Sequence, residues 1–192
     1  MSIVELSPGS FIYRLPGALA KEFCEAVVNQ FEMSPDEQQV GQLGQAGDQD
    51  AAIKKTTDLR ITAKEKWKSV DQTLFRSLAD AISLMCQSHP YFASNSFKDT
   101  GYHIQRYQPG EYYHWHVDAG PGSFSQRQLV ALWYLNDVVG VGGQTEFAFQ
   151  NIKVTPKQGD LLLFPPFWTH VHRSVELSAG SKYIATTWVC FA

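Results

Sequence analysis

Beyond Gly101 the chain breaks into short β-rich runs: Tyr102–Tyr107, Tyr112–Val117, Leu129–Leu135, Thr145–Phe149, Asn151–Val154, Leu161–Phe164, Val171–Val175 and Tyr183–Phe191. Turn formers separate them, among them Pro109-Gly110, Gly120-Pro-Gly122, Gly140-Val-Gly-Gly143, Pro156-Lys-Gln-Gly159 and Ala179-Gly180. Parallel sheets need a crossover of a dozen or more residues between strands, usually a helix, and there is no room for one here. The spacing therefore predicts an antiparallel sandwich or barrel.

The first hundred residues read differently. Ser10–Leu15 suits a first strand, ended by Pro16-Gly17. From Ala18, the spacing of Leu19, Phe23, Val27 and Phe31 draws one stripe of an amphipathic helix packed on a sheet. Thr62-Ala-Lys-Glu65 fits a capping box opening a second helix, which runs to about Ser88 and buries Val70, Leu74, Leu78, Ile82 and Met85. His89-Pro90 closes it, with His89 a polar residue at the helix end. Between the helices, Pro35–Ala52 is rich in Gln, Gly and Asp and reads as a mobile loop, either disordered or functional as a lid.

A length of 192 residues suits a single domain with one core. A formal net charge of −3 with no Lys/Arg cluster gives no footprint for nucleic acid. No apolar run reaches membrane-spanning length, and the N-terminal stretch lacks the basic and apolar regions of a signal peptide. Cys24, Cys86 and Cys190 are odd in number and widely spaced, which suits reduced thiols in a cytoplasmic protein.

The chemistry concentrates in Tyr107-Gln-Pro-Gly-Glu-Tyr-Tyr-His-Trp-His-Val-Asp118. Side chains two apart on a strand share a face, so His116 and Asp118 project together and offer two corners of a 2-His-1-carboxylate metal site. His114 shares that face by the same rule and is a rival ligand. A further histidine comes from His103, His170 or His172, with His103 better suited to strand packing. Lys182 opens an apolar strand on which Lys182, Ile184, Thr186 and Trp188 share a face. Taken alone, its stem packs while its ammonium reaches water.

Together these segments resemble the iron(II)- and 2-oxoglutarate-dependent oxygenases, specifically the prolyl 4-hydroxylase-like group. The resemblance rests on Tyr107, Gly110, Tyr113, His116 and Asp118, then Tyr134-Leu-Asn136, Gly142-Gly-Gln-Thr-Glu-Phe147 and Pro156 to Phe164, and finally His172, Gly180, Lys182, Tyr183 and Trp188. It covers roughly residues 101–192. One departure is the stretch after His172, which reads Arg-Ser-Val-Glu-Leu and lacks the Pro-Val often found there.

The resemblance implies an α+β fold: a double-stranded β-helix (a jelly-roll or cupin-like barrel) of about residues 101–192, with N-terminal helices of about residues 1–100 as its support. It implies iron(II) held by His116, Asp118 and His172. The co-substrate 2-oxoglutarate is bound by Lys182 with Tyr107, Tyr134 and Trp188, O₂ is consumed, and ascorbate is an optional auxiliary. The substrate is a peptide or small molecule whose unactivated C–H is hydroxylated. His172 is preferred over His170 because ten residues separate it from Lys182, the family's interval. His170, after the irregular Pro165-Pro-Phe-Trp-Thr, is then expected to line the pocket or contact substrate. The loop Ala119–Gln128 is expected to border the site mouth and, with Pro35–Ala52, to select substrate.

Two other classes share some of these features. His114-x-His116-x-Asp118 resembles the opening of a zinc hydrolase signature, but Ala119 stands where its last histidine belongs. A non-catalytic cupin-like metal- or ligand-binding barrel has the same shape but no use for Lys182 and Tyr107.

Overall fold

The structure, a computed structural model, describes residues 2–44 and 47–192. Its strands and helices in chain order are β1 (Val4–Glu5), β2 (Tyr13–Leu15), α1 (Lys21–Glu32), β3 (Gln39–Val40), β4 (Lys54–Lys55), β5 (Thr57–Arg60), α2 (Lys68–Cys86), α3 (Pro90–Ala93), β6 (Phe97–Asp99), β7 (His103–Tyr107), β8 (Tyr112–His116), β9 (Arg127–Tyr134), β10 (Thr145–Phe147), β11 (Ile152–Val154), β12 (Leu161–Phe164), β13 (His172–Ser174) and β14 (Lys182–Phe191). They form two open sheets in which the paired strands run antiparallel. The larger has the order β1-β2-β12-β9-β14-β7-β5-β3, with β6 on the far end of β14, and the smaller has the order β11-β10-β13-β8-β4.

Strands β9, β12 and β14 are apolar on both faces because each face meets a different layer. Leu129, Ala131, Trp133, Leu161, Leu163, Tyr183, Ala185 and Val189 pack with Val27 and Phe31 of α1 and with Val70, Leu74, Leu78 and Met85 of α2. Their alternating neighbours Val130, Leu132, Tyr134, Leu162, Phe164 and Ile184 pack with Phe147 and Val154 of the smaller sheet. Two cores thus share one sheet, the first under the helices and the second between the sheets.

The two expected helices form. In α1 the deep positions are Cys24, Val27 and Phe31, while Leu19 precedes the helix and Phe23 is only partly buried. In α2, Ile82 likewise sits at the margin of the buried face. The capping box does not form: α2 begins at Lys68 without a side-chain cap. The Thr62 hydroxyl instead accepts from the Tyr102 N–H (2.7 Å) and donates to Asp71 (2.8 Å), joining the helix entry to the sheet. His89, read as a polar helix terminus, hydrogen-bonds Tyr13 Oη (2.9 Å) and the Met85 carbonyl (3.0 Å).

Pro35–Ala52 departs from the mobile-loop expectation. It holds a 3-10 turn at Pro35–Glu37, strand β3 and a Leu43–Asp48 bridge; Gln45 and Ala46 lie outside the described residues. Its pairing partner β5 lies about twenty residues downstream, so no local pattern announced it. The longer stretch from β3 through β5, residues 39–60, visits both sheets: β3 and β5 join the larger and β4 the smaller. Inside it, Lys54 and Asp58 form a buried ion pair (2.6 Å), with Thr56 donating to the same carboxylate (2.7 Å).

Several motif residues are architectural. Asn136 accepts from the Tyr183 N–H (2.7 Å) and donates to the Ser181 carbonyl (2.7 Å), joining the exit of β9 to the entry of β14. Asp160 accepts from Arg14 Nε (2.6 Å) and the Gly17 N–H (3.0 Å), anchoring β2 beside β12. Gly142 has φ +96°, and a Cβ there would fall 2.0 Å from the Glu176 carbonyl oxygen, so only glycine lets these two chains approach.

Leu74 is fully buried where α2 meets the larger sheet. Leu74→Ala should lower unfolding free energy by about 2–5 kcal/mol in urea titration, and a loss under about 1 kcal/mol would contradict this packing.

Candidate active site

Strands β8 and β13 build the site because their pairing sets His116 opposite His172. The register then slips, and Ser174 opposes Tyr113, so His114 and Trp115 of β8 face Arg173 alone. Such a β-bulge interrupts the two-residue alternation and re-aims side chains. Tyr113 rather than His114 joins His116, its ring stacked on the imidazole at 3.5 Å and 10°. His114 is exposed against Tyr112. The expectation that His114 and His116 share a face is corrected by this bulge, and the H-x-H-x-D reading of a zinc hydrolase loses its first ligand.

Asp118 follows the end of β8, where its N–H and that of Ala119 both donate to the Pro166 carbonyl (3.0 and 2.9 Å). This grip ties the chain after β8 to the loop before β13. His116, Asp118 and His172 each direct a ligand atom inward, all within 4.8 Å of one another, and Asp118 Oδ2 lies 3.2 Å from His172 Nε2.

Both imidazoles are oriented by backbone. His116 Nδ1 meets the His114 carbonyl (2.7 Å) and His172 Nδ1 meets the His170 carbonyl (3.0 Å). A carbonyl only accepts, so each Nδ1 carries a proton. His116 Nε2 keeps a free lone pair, while His172 Nε2 is hydrogen-bonded to Asp118 Oδ2 and would give up the proton of that bond on binding a metal. Burial, then the neighbouring His172, lowers the His116 pKa to about 3, which favours the neutral ring. Burial opposes the charge on Asp118, but the hydrogen bond and charge of His172 outweigh it and hold the carboxyl well below its usual range. Two imidazoles with their second nitrogens satisfied by backbone and one carboxylate, converging within 4.8 Å, fit a divalent first-row metal.

His170 is not at this cluster. The 3-10 turn Trp168–His170 turns its ring toward the N-terminal segment, with Nε2 at the Ser10 carbonyl (2.9 Å) and Nδ1 at the Thr169 hydroxyl (2.9 Å). The expectation that it lines the pocket is therefore corrected, since both ring nitrogens have partners elsewhere. His103 is a packed strand residue against Trp188, its pKa lowered by burial to about 4.

The simplest reading of Lys182, an ammonium reaching water, is overturned. The residue is 1% exposed, and its Nζ donates to Ser174 Oγ (2.8 Å) above the rings of Tyr107 (4.8 Å) and Tyr134 (5.9 Å). Burial lowers its pKa to about 7, and no carboxylate offsets that among the described residues. A buried ammonium without an anion is costly. Two further groups on the same face of β14, Thr186 Oγ1 and Trp188 Nε1, are buried without hydrogen-bond partners among the described residues. The donor set suits a small anion with polar oxygens. The Tyr107 and Tyr134 hydroxyls donate to Gln105 (3.2 Å) and Thr145 (2.7 Å).

Sequence reasoning missed Ser174, Gln105 and Thr145 as partners of these groups. Alternation could have found the first two: Ser174 lies two residues after His172, and Gln105 two before Tyr107.

Residues 102–190 match the 2OG-Fe(II) oxygenase superfamily. The chain is similar to prolyl 4-hydroxylase 13 of Arabidopsis thaliana, 26% identical over 93% of this chain and 70% of that protein. It is also 32% identical to a putative prolyl 4-hydroxylase of Acanthamoeba polyphaga mimivirus over 44% of this chain and 42% of that protein. Among solved structures, a Trichoplax adhaerens prolyl hydroxylase in complex with a hypoxia inducible factor peptide fragment superposes with TM-score 0.79 at 19% identity, over 95% of this chain and 84% of that one. The 2-oxoglutarate complex of a viral collagen prolyl hydroxylase from Paramecium bursaria Chlorella virus-1 gives TM-score 0.71 at 18% identity, over 96% and 98%.

Titration of metal-free protein with iron(II) under argon separates the histidines. His172→Ala should lose the single high-affinity site, while His170→Ala and His114→Ala should keep it. Loss in His170→Ala with retention in His172→Ala would reverse the ligand assignment.

Proposed function

We propose that this prolyl hydroxylase-like chain, whose residues 102–190 belong to the 2OG-Fe(II) oxygenase superfamily, is an iron(II)- and 2-oxoglutarate-dependent dioxygenase. It hydroxylates an unactivated C–H of a peptidyl prolyl or small-molecule substrate and releases succinate and CO₂. The whole chain acts as one oxygenase domain, its two sheets forming a double-stranded β-helix with the helices as support. The observation that carries the reading is the buried Lys182 ammonium on Ser174. Ser174 shares β13 with His172, about 6.6 Å further along the strand. A cation for a remote carboxylate thus stands roughly one short dicarboxylate away from the three candidate ligands.

Bound iron(II), with 2-oxoglutarate and O₂, supplies the oxidising power for C–H hydroxylation. His116, Asp118 and His172 would hold the metal. Lys182 and Ser174 take the remote carboxylate as a point charge and a hydroxyl, and Thr186 and Trp188 offer further polar contacts. Leu132, Tyr134 and Ile184, in the core between the sheets, surround these groups with apolar surface that would keep bulk water from the reacting centre. The prolyl choice is supported by the named activity of the similar proteins, one of which was solved with a peptide fragment. Ala119–Gln128, which follows Asp118 directly, borders the mouth and selects the substrate.

Succinate release with iron(II) and 2-oxoglutarate, measured across prolyl peptides and free amino acids, tests the reaction and its substrate together. Stimulation by prolyl peptides alone is the expected result, and stimulation by free amino acids alone would move the substrate to the small-molecule class.

Lys182→Ala should weaken 2-oxoglutarate binding by about 10- to 150-fold, the loss of one charge-assisted contact of ~1.5–3 kcal/mol, while iron affinity stays nearly unchanged. The pH dependence has a fixed sign. An ammonium lowered to about 7 is charged below that value and neutral above it, so 2-oxoglutarate affinity should fall as pH rises through 7. The limiting slope is about tenfold per pH unit, and Lys182→Ala should flatten it. A pH-independent wild-type Kd between pH ~6 and ~9 would remove Lys182 from the anion site.

A further inference from the structure

Arg127 opens β9 nine residues after Asp118 and is buried. Its guanidinium lies between two aromatic faces, 3.6 Å from the Phe124 ring centroid and 3.8 Å from that of Trp188. Nη1 donates to the main-chain carbonyl of Asp118 at 2.7 Å. No carboxylate lies within ion-pair distance of it among the described residues; its direct partners are two rings and one neutral carbonyl, and the Asp118 carboxylate acts on it only as a charge at longer range. Burying a guanidinium this way forfeits most of its hydration, so it is a poor device for stability alone. It does make a stiff strut, because the two rings fix the plane of the fork and the fork fixes the carbonyl.

Asp118 needs such a strut. It lies past the last residue of β8, beyond the reach of the β8–β13 ladder. Its N–H is held by Pro166, and its carbonyl is held by Arg127. Both ends of the residue are therefore pinned, and the carboxylate has only its own side-chain torsions left to vary.

We propose that Arg127 is the positioning residue of the Asp118 carboxylate, fixing the backbone from which that carboxylate reaches the metal, with Phe124 and Trp188 as the clamp that keeps the guanidinium in plane. The proposal rests on the reading of Asp118 as a metal ligand. It gives Phe124, in the 3-10 turn Gly122–Gln126 beside the site, a mechanical part in metal geometry.

The probe is cobalt(II), titrated into metal-free protein without co-substrate or turnover and followed by its visible d–d bands. Wild-type protein should bind one equivalent, and Asp118→Ala should bind far more weakly. Arg127→Met keeps the apolar stem between the rings but removes the donor, and should weaken cobalt binding by about 10- to 100-fold, the usual effect of disturbing a residue that supports a ligand. The d–d bands of the residual complex should shift, which a merely structural loss would not cause. Arg127→Lys, which keeps the charge but not the planar fork, should deviate in the same direction and serves if the Met variant does not fold. Wild-type affinity and bands in either folded variant, with Asp118→Ala defective, would overturn the proposal and leave the metal site standing. Unimpaired binding by Asp118→Ala would overturn the metal assignment and this proposal with it.

Discussion

The antiparallel register that sets His116 opposite His172 is the constraint on which the rest of the site depends. Slipping one strand of a ladder by a single residue moves every side chain to the other face. Here it would replace His172 by Arg173 or Val171 and dismantle the cluster outright. The register is held from both sides. β13 is flanked by β10, where Phe147 pairs with His172, and β8 is flanked by β4 at Tyr112 and Tyr113. The close approach at Gly142 fixes where the chain after β13 lies against the turn before β10.

Around that cluster the protein arranges positive charge in surroundings poor in water. Lys182 stands under the second core with a hydroxyl for company, and Arg127 stands between two rings. Asp118 is the only carboxylate of the cluster itself. A neutral His116 and an ionised Asp118 are the forms that can ligate; burial favours the first, and the His172 contact, against burial, favours the second. The strands that supply these groups are apolar on both faces for an unrelated reason, the need to meet helices on one side and a sheet on the other. The candidate site thus takes inward positions of β8, β13 and β14, with Asp118 just past the end of β8.

Much of this was legible because alternation and turn chemistry are local. The β-rich runs after Gly101 became strands with ends shifted by a residue or two, and Leu161–Phe164 matched at both ends. Lys182, Ile184, Thr186 and Trp188 do share a face. The bulge in β8 was not read, although the spacing held a clue. Tyr113 and His116 are three apart, and a regular strand cannot put both on one face, so a Tyr-x-x-His signature already implies an interrupted alternation. The capping box failed because Thr62 found a better partner in the backbone of Tyr102, forty residues away. The depth of Lys182 was unreadable because it depends on Ser174 arriving from another sheet. Non-local pairing likewise hid β3 inside a stretch whose composition said loop.

The segment from β3 to β5 belongs to both sheets within twenty-two residues, and its buried Lys54–Asp58 pair lies at the crossing. A single strap laced through two walls couples their opening. If β4 peels from β8, the Lys54 ammonium loses its carboxylate as well as its ladder, and breaking one side of such a pair typically costs about 3–5 kcal/mol. Amide protons of β5 and β8 should then exchange with solvent as one cooperative unit rather than as two independent edges. The breathing of the smaller sheet beside His116 is thereby geared to the integrity of the larger sheet.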